Sequence, residues 1–355
     1  MDMRKRYLIL AVVALVFVPS LAVGADDISG EYVVVTPLVG RAPKPIRKFL
    51  TTLELDTLER VDKSIQAIPL RDPEGDATIV WHIEEAVVRS PAFRLQRDVM
   101  RTLRMMFAGA DGFSIGRHID IIVAKTQSFI RESLKVVGCD PDLGAFDGQI
   151  LMGAALCNRR VIVSNVTGYL FLTRPGQRVT SAMERRAEPP LSRLDYRLAA
   201  RNSSALAHEW VHFFRMAGLG GRVAPDEPLW FAEGFAEFWA HMAKVRLYGN
   251  NDAMVSTHVI RLRDFFDWER QCPGPLRRYR IDQGNSCHYH LGMLAIEYLV
   301  ANYGGLEATT ELFRIDGEIP TFVEGFKRVF GIDLSDFEAE ADRYIETIRK
   351  AELTK

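Results

Sequence analysis

The chain has no bias of charge, no repeat, no low-complexity tract and, after its first 25 residues, no long apolar run. Each absence excludes something. With 45 Lys and Arg against 46 Asp and Glu, there is no overall basic balance of the kind that binds nucleic acid. Crossing a bilayer as a helix takes about 20 apolar residues in succession, and nothing beyond residue 25 approaches that. Cysteine is scarce, with four in 355 residues and no CxxC spacing, which argues against a metal site built on thiolates. What is present is ordinary globular material. A hydrophobic content of 48% is ample for a core, and the length suits one large or two modest domains.

The first 25 residues read as something other than fold. Arg4, Lys5 and Arg6 precede an apolar run from Leu8 to Val18, then Pro19, then the small-residue exit Leu21-Ala22-Val23-Gly24-Ala25 before Asp26-Asp27. This is the pattern of a secretory signal peptide cut near Ala25. The run is short for a membrane anchor, so membrane contact is expected only if the segment stays uncleaved. No cysteine stands at the exit to carry a lipid. The chain is therefore expected to be exported, periplasmic or secreted. In that setting Cys139, Cys157, Cys272 and Cys287 are expected to form disulfides. Three pairings exist, and nearest-neighbour pairing is favoured because each pair then brackets an irregular stretch.

Along the mature chain, residues 26–90 look β-rich. Glu31–Val35 and Thr78–Ile83 have strand character, with a polar, proline-containing stretch between them. From Pro91 the apolar period becomes helical, through Leu95, Val99, Leu103 and Met106 to Gly109. A buried strand at Ile119–Val123 and a short helix at Gln127–Val136 follow. Strands are then expected at Arg160–Ser164 and Tyr169–Leu172, and a charged surface loop over 173–200. The remainder reads as helices: from Asn202 or Ser203 to Gly218, Leu229 to Leu247, Ala253 to Phe266, one through Leu291, Leu294 and Tyr298 to Gly304-Gly305, then 320–330 and 335–350. The fold class expected is α+β, with a small mixed sheet ahead of a mainly helical C-terminal part.

Chemistry concentrates in His208-Glu209-Trp210-Val211-His212. Residues at i and i+4 share one helix face, so two imidazoles can hold one ion from a single helix. Glu209 falls about 100° round, beside the ion and able to take a proton from water. Taken alone, the pattern also suits a core helix with two satisfied histidines. A third ligand makes the metal reading stronger. Glu233 stands in the aromatic stretch Leu229-Trp230-Phe231-Ala232-Glu233-Gly234-Phe235, where a carboxylate is costly unless bound or paired. The 20 residues between His212 and Glu233 suffice for a loop and an antiparallel return helix. Glu237, one turn on, could accept a hydrogen bond from a ligand histidine or sit at the surface. His241 lies on roughly the same face, with a buried or solvated histidine as its plain reading.

HExxH followed by Trp-x-x-Glu-Gly resembles the active-site helices of the gluzincin metallopeptidases, and within that clan the peptidase MA-like family. Tyr289, Tyr298-Leu299-Val300-Ala301-Asn302-Tyr303-Gly304 and Val329-Phe330-Gly331-Ile332 extend the likeness, which covers about residues 92–350. It implies a zincin-like fold and zinc held by His208, His212 and Glu233. It also implies Glu209 as the general base and Tyr289 facing the developing oxyanion, although His288 or His290 could take that place. The strand near Arg160–Ser164 would be an edge that binds an extended substrate by strand addition. The organisation implied is a signal segment 1–25, a β-rich region 26–90, a subdomain 91–221 with the HExxH helix and a helical subdomain 222–355 with the third ligand. The function expected is zinc peptidase acting on a peptide or protein. The alternatives are a non-peptide amidase or esterase on the same site, and an inactive binding or scaffold protein of the same fold.

Overall fold

The structure, a computed structural model, describes residues 50–73, 78–111, 118–139, 150–151, 153–157, 160–166, 170–171, 204–218, 226–248, 258, 272–283, 286–315, 319 and 321–353. The expected signal segment, the strand at 31–35 and the loop at 173–200 lie outside these residues. So does the helix at 253–266, apart from His258.

Helix α1 (Thr52–Ala67) opens on a capping box. The Glu54 N–H reaches Thr51 Oγ at 3.1 Å, and the Thr51 N–H reaches the Glu54 carboxylate at 2.7 Å. Leu58, Val61 and Ile65 bury its inner stripe. The polar stretch ahead of the first described strand therefore holds a helix.

The sheet runs β1 (Thr78–Ile83), β2 (His118–Ala124), β5 (Val161–Asn165), β4 (Gly153–Leu156) in spatial order. The pairs β1/β2 and β2/β5 are parallel and β4/β5 is antiparallel. A short separate ladder joins β3 (Ile150–Leu151) to β6 (Leu170–Phe171). Ile119, Ile121, Ile122 and Val123 of β2 are all fully buried, so both faces of the central strand are covered. Ile122, with Val161 and Val163 of β5, packs under α4 (Gln127–Val136) through Ile130 and Leu134. Ile121 and Ile162 face the main core, where α3 (Pro91–Asp111) supplies Val99, Leu103, Met106 and Phe107. A single turn, α2 (Glu85–Val88), precedes α3. The strand at 161–165 is thus interior, between β2 and β4, and not an edge. Among the described residues β4 is the outer strand on that side.

The helical part centres on α5 (Ala205–Gly218), α6 (Leu229–Tyr248) and α7 (Cys287–Asn302). Around them lie α8 (Leu306–Ile315), α9 (Phe322–Phe330) and α10 (Leu334–Leu353). Helix α6 is enclosed on every side, and its aromatic and aliphatic residues surround one polar stripe. Trp230, Phe231, Phe235, Phe238 and Trp239 have no exposed surface. It meets α7 at Gly234 and Gly292, where a Cβ on Gly292 would stand 2.1 Å from the Trp230 carbonyl oxygen. Backbone-to-backbone approach at this crossing requires glycine on both helices. Disulfides join Cys139 to Cys157 and Cys272 to Cys287, the nearest-neighbour pairing.

Candidate metal centre

Helices α5 and α6 face each other through a polar stripe inside an aromatic core. On the α5 side, Ser204, His208, His212 and Arg215 recur at intervals of four, four and three, one face of a helix. Their partners on the α6 side run in reverse order. Ser204 Oγ lies 3.5 Å from His241 Nε2, and His208 Nδ1 lies 3.1 Å from Glu237 Oε2. His212 Nε2 lies 3.2 Å from Glu233 Oε2, and Arg215 makes a 2.6 Å ion pair with Glu227 just before α6. The two helices are therefore antiparallel, with a polar rung at each turn.

The middle rungs converge. His208 Nε2, His212 Nε2 and Glu233 Oε2 stand 3.2 Å from one another on all three sides. Ligand atoms of a tetrahedral zinc lie about 2.0–2.1 Å from the ion, which separates any two of them by roughly 3.3–3.4 Å. The triangle matches one face of that tetrahedron, and the set of two imidazoles and a carboxylate is a common catalytic zinc set. Among the described residues this is the group of donors able to hold a metal ion.

Tautomers support the same reading. A carboxylate only accepts, so the Nδ1 of His208 carries the proton it gives to Glu237. Its Nε2 then turns a lone pair to the centre of the triangle. Burial opposes charge on His208, but Glu233 and Glu237 outweigh it and push the ring up to about 10. Burial, with the neighbouring His208 and Arg215 charges, pushes His212 down to about 4. The carboxyl of Glu233 is held well below its usual range by the two histidines, against the opposing effect of burial.

Glu209 follows His208 on α5, and its charge acts on both His208 and Tyr289. Tyr289, in the first turn of α7, sets its ring 5.7 Å from that of His208. The Glu233 carboxylate acts on its hydroxyl. Burial first, then the charges of Glu233, Glu209 and Glu237, pushes its pKa well above the ordinary tyrosine value. The hydroxyl therefore stays protonated and donates. His288 is buried with its ring 4.4 Å from that of Tyr289, and neither it nor His290 belongs to the donor triangle. The disulfide at Cys287 pins the start of α7 just ahead of these residues.

His208, His212 and Glu233 thus come together, with the Tyr289 ring beside that of His208. Glu237 is buried and bonded to His208, so it is not the surface acid that was one of its two readings. Sequence reasoning missed the Arg215–Glu227 pair, although Arg215 shares the HExxH face, three residues beyond His212. It also missed His258, held between Glu54 and Glu297 in the core. Two disulfides suit an oxidising compartment. No described helix is long and apolar enough to cross a membrane. No family model, curated protein or solved structure matches this chain.

Proposed function

We propose that this chain is an exported zinc-dependent hydrolase of gluzincin type that cleaves peptide bonds. The donor triangle of His208, His212 and Glu233, with Glu209 next to it on the same helix, carries the reading. Zinc in such a site supplies an acidified water and a polarised carbonyl.

The chain's own residues do the rest. Glu237 holds His208 in the tautomer that offers Nε2. Glu209 accepts the proton of the attacking water and passes it to the leaving amine. Tyr289 keeps its proton and has a hydroxyl to offer to negative charge forming beside the site. The strand-addition surface passes from the interior strand β5 to β4, the outer described strand beside α5. Its outward side suits an extended peptide backbone.

The test is Glu209→Gln in the mature chain, assayed on casein before and after chelation. About one zinc per chain should be retained, while turnover falls by about 10²–10⁴-fold, the span of a lost general base. Wild-type cleavage should stop on chelation and return with zinc. A Glu209→Gln protein as active as wild type would sink the proposal.

A further inference from the structure

The polar ladder between α5 and α6 continues past the residues that touch the metal position, and the outermost rung on the Ser204 side has no part in the chemistry proposed above. The geometry points to His241 as a positioning residue that sets metal affinity through Glu237, a reading that rests on the zinc site proposed above. His241 is 4% exposed and lies one helical turn beyond Glu237 on α6. Its Nε2 is 3.2 Å from Glu237 Oε1, the oxygen not used by His208. Because the carboxylate can only accept, both rings donate to it, one to each oxygen.

A carboxylate free to rotate would lose its line to His208 Nδ1. Anchoring its second oxygen removes that freedom, so the ring of His208 is oriented before any ion arrives. Ser204 closes the chain. Its hydroxyl lies 3.5 Å from His241 Nε2, and its carbonyl accepts the backbone N–H of His208 at 2.8 Å. The histidine that must hold the ion is thus fixed twice: at its backbone by Ser204, and at its ring by Glu237 backed by His241. Groups that orient a ligand from behind are worth about 10–100-fold in metal affinity. His241 acts one step further out, so the low end of that range is its expected share.

The experiment is zinc affinity of the apoprotein by competition with a chromophoric chelator, with apoprotein melting measured beside it. His241→Phe keeps ring volume but leaves Glu237 Oε1 without this donor, and should weaken zinc by about tenfold. His241→Gln places an amide donor near the position of Nε2 and should recover most of that loss. Should the phenylalanine variant not fold, His241→Asn, too short to reach Glu237, carries the same comparison with glutamine. Equal weakening in the glutamine variant and its partner would mean that His241 only packs, and would overturn the inference. So would zinc binding left within twofold of wild type by phenylalanine or asparagine. A wild-type chain that takes up no zinc at all would overturn this inference and the proposed function together, which distinguishes the two failures.

Discussion

A carboxylate buried among aromatic rings is costly unless it accepts hydrogen bonds, and Glu237 accepts one at each oxygen. The bond to His208 Nδ1 decides which nitrogen faces the metal position. Glu237→Gln puts an amide where two donors already point, so one of them must be lost. Zinc should bind about 10–100-fold more weakly, with the fold kept. Chelator competition reads this directly, and an affinity within twofold of wild type would show that the carboxylate does not orient the ring. Single residues of this kind were unevenly legible. His208 and His212 declare themselves by spacing, and Glu233 by being an acid in an apolar helix. Glu237 was open between two readings because a helix position does not say which neighbour covers it. Arg215 of α5 and Glu227, just before α6, form a buried pair. A charge looks the same in sequence whether water or a partner neutralises it.

At the scale of elements, the site depends on how closely α6 and α7 approach, because α6 carries Glu233 and α7 carries Tyr289. Gly292→Ala would put a methyl group 2.1 Å from the Trp230 carbonyl oxygen and 2.9 Å from Gly234 Cα. Neither atom is on a flexible side chain, so the helices must part. Overpacking of this kind costs about 1–3 kcal/mol or more. Melting should fall by roughly 1–5 °C, since a chain of this size loses about 1–2 °C per kcal/mol. Thermal unfolding followed by circular dichroism measures it, and an unchanged melting temperature would refute the close crossing. Most elements were readable because their apolar residues kept one period. Helix α1 was not, for two visible reasons: its inner stripe begins with buried Glu54, while Leu53 and Leu55 point outward at 39% and 37% exposure. Strand β4 escaped because Gly153-Ala154-Ala155-Leu156 holds no β-branched or aromatic residue. The edge at Arg160–Ser164 was what the family resemblance implied, and β4 covers it.

Across the whole molecule, the two ends of the described chain are tied by a second buried polar cluster. His258 donates from Nδ1 to Glu297 of α7 at 3.0 Å, and its Nε2 lies 3.3 Å from Glu54 of α1. Tyr344 of α10 donates to the other oxygen of Glu297 at 2.6 Å. Burial opposes charge on the imidazole, but Glu297 and Glu54 outweigh it and push His258 up to about 9. A histidine raised from its ordinary 6.5 contributes stability that is complete below about pH 6.5 and is lost as pH climbs through 9. The loss is of order 3 kcal/mol at most. Glu54 acts in the opposite sense, because its lowered carboxyl gives stability that disappears only in acid. Wild-type melting should therefore be highest near pH 5–6.5 and decline towards pH 9.5. His208 and His212 titrate as well, so the informative quantity is the difference from His258→Gln, in which their contribution cancels. That variant keeps a polar group between the two acids but cannot carry the charge. It should melt well below wild type at pH 6, and the gap should close by several degrees by pH 9.5. A gap that stays constant over that range would mean His258 is not charged at neutral pH, and that the link between the chain's two ends is hydrogen bonding alone.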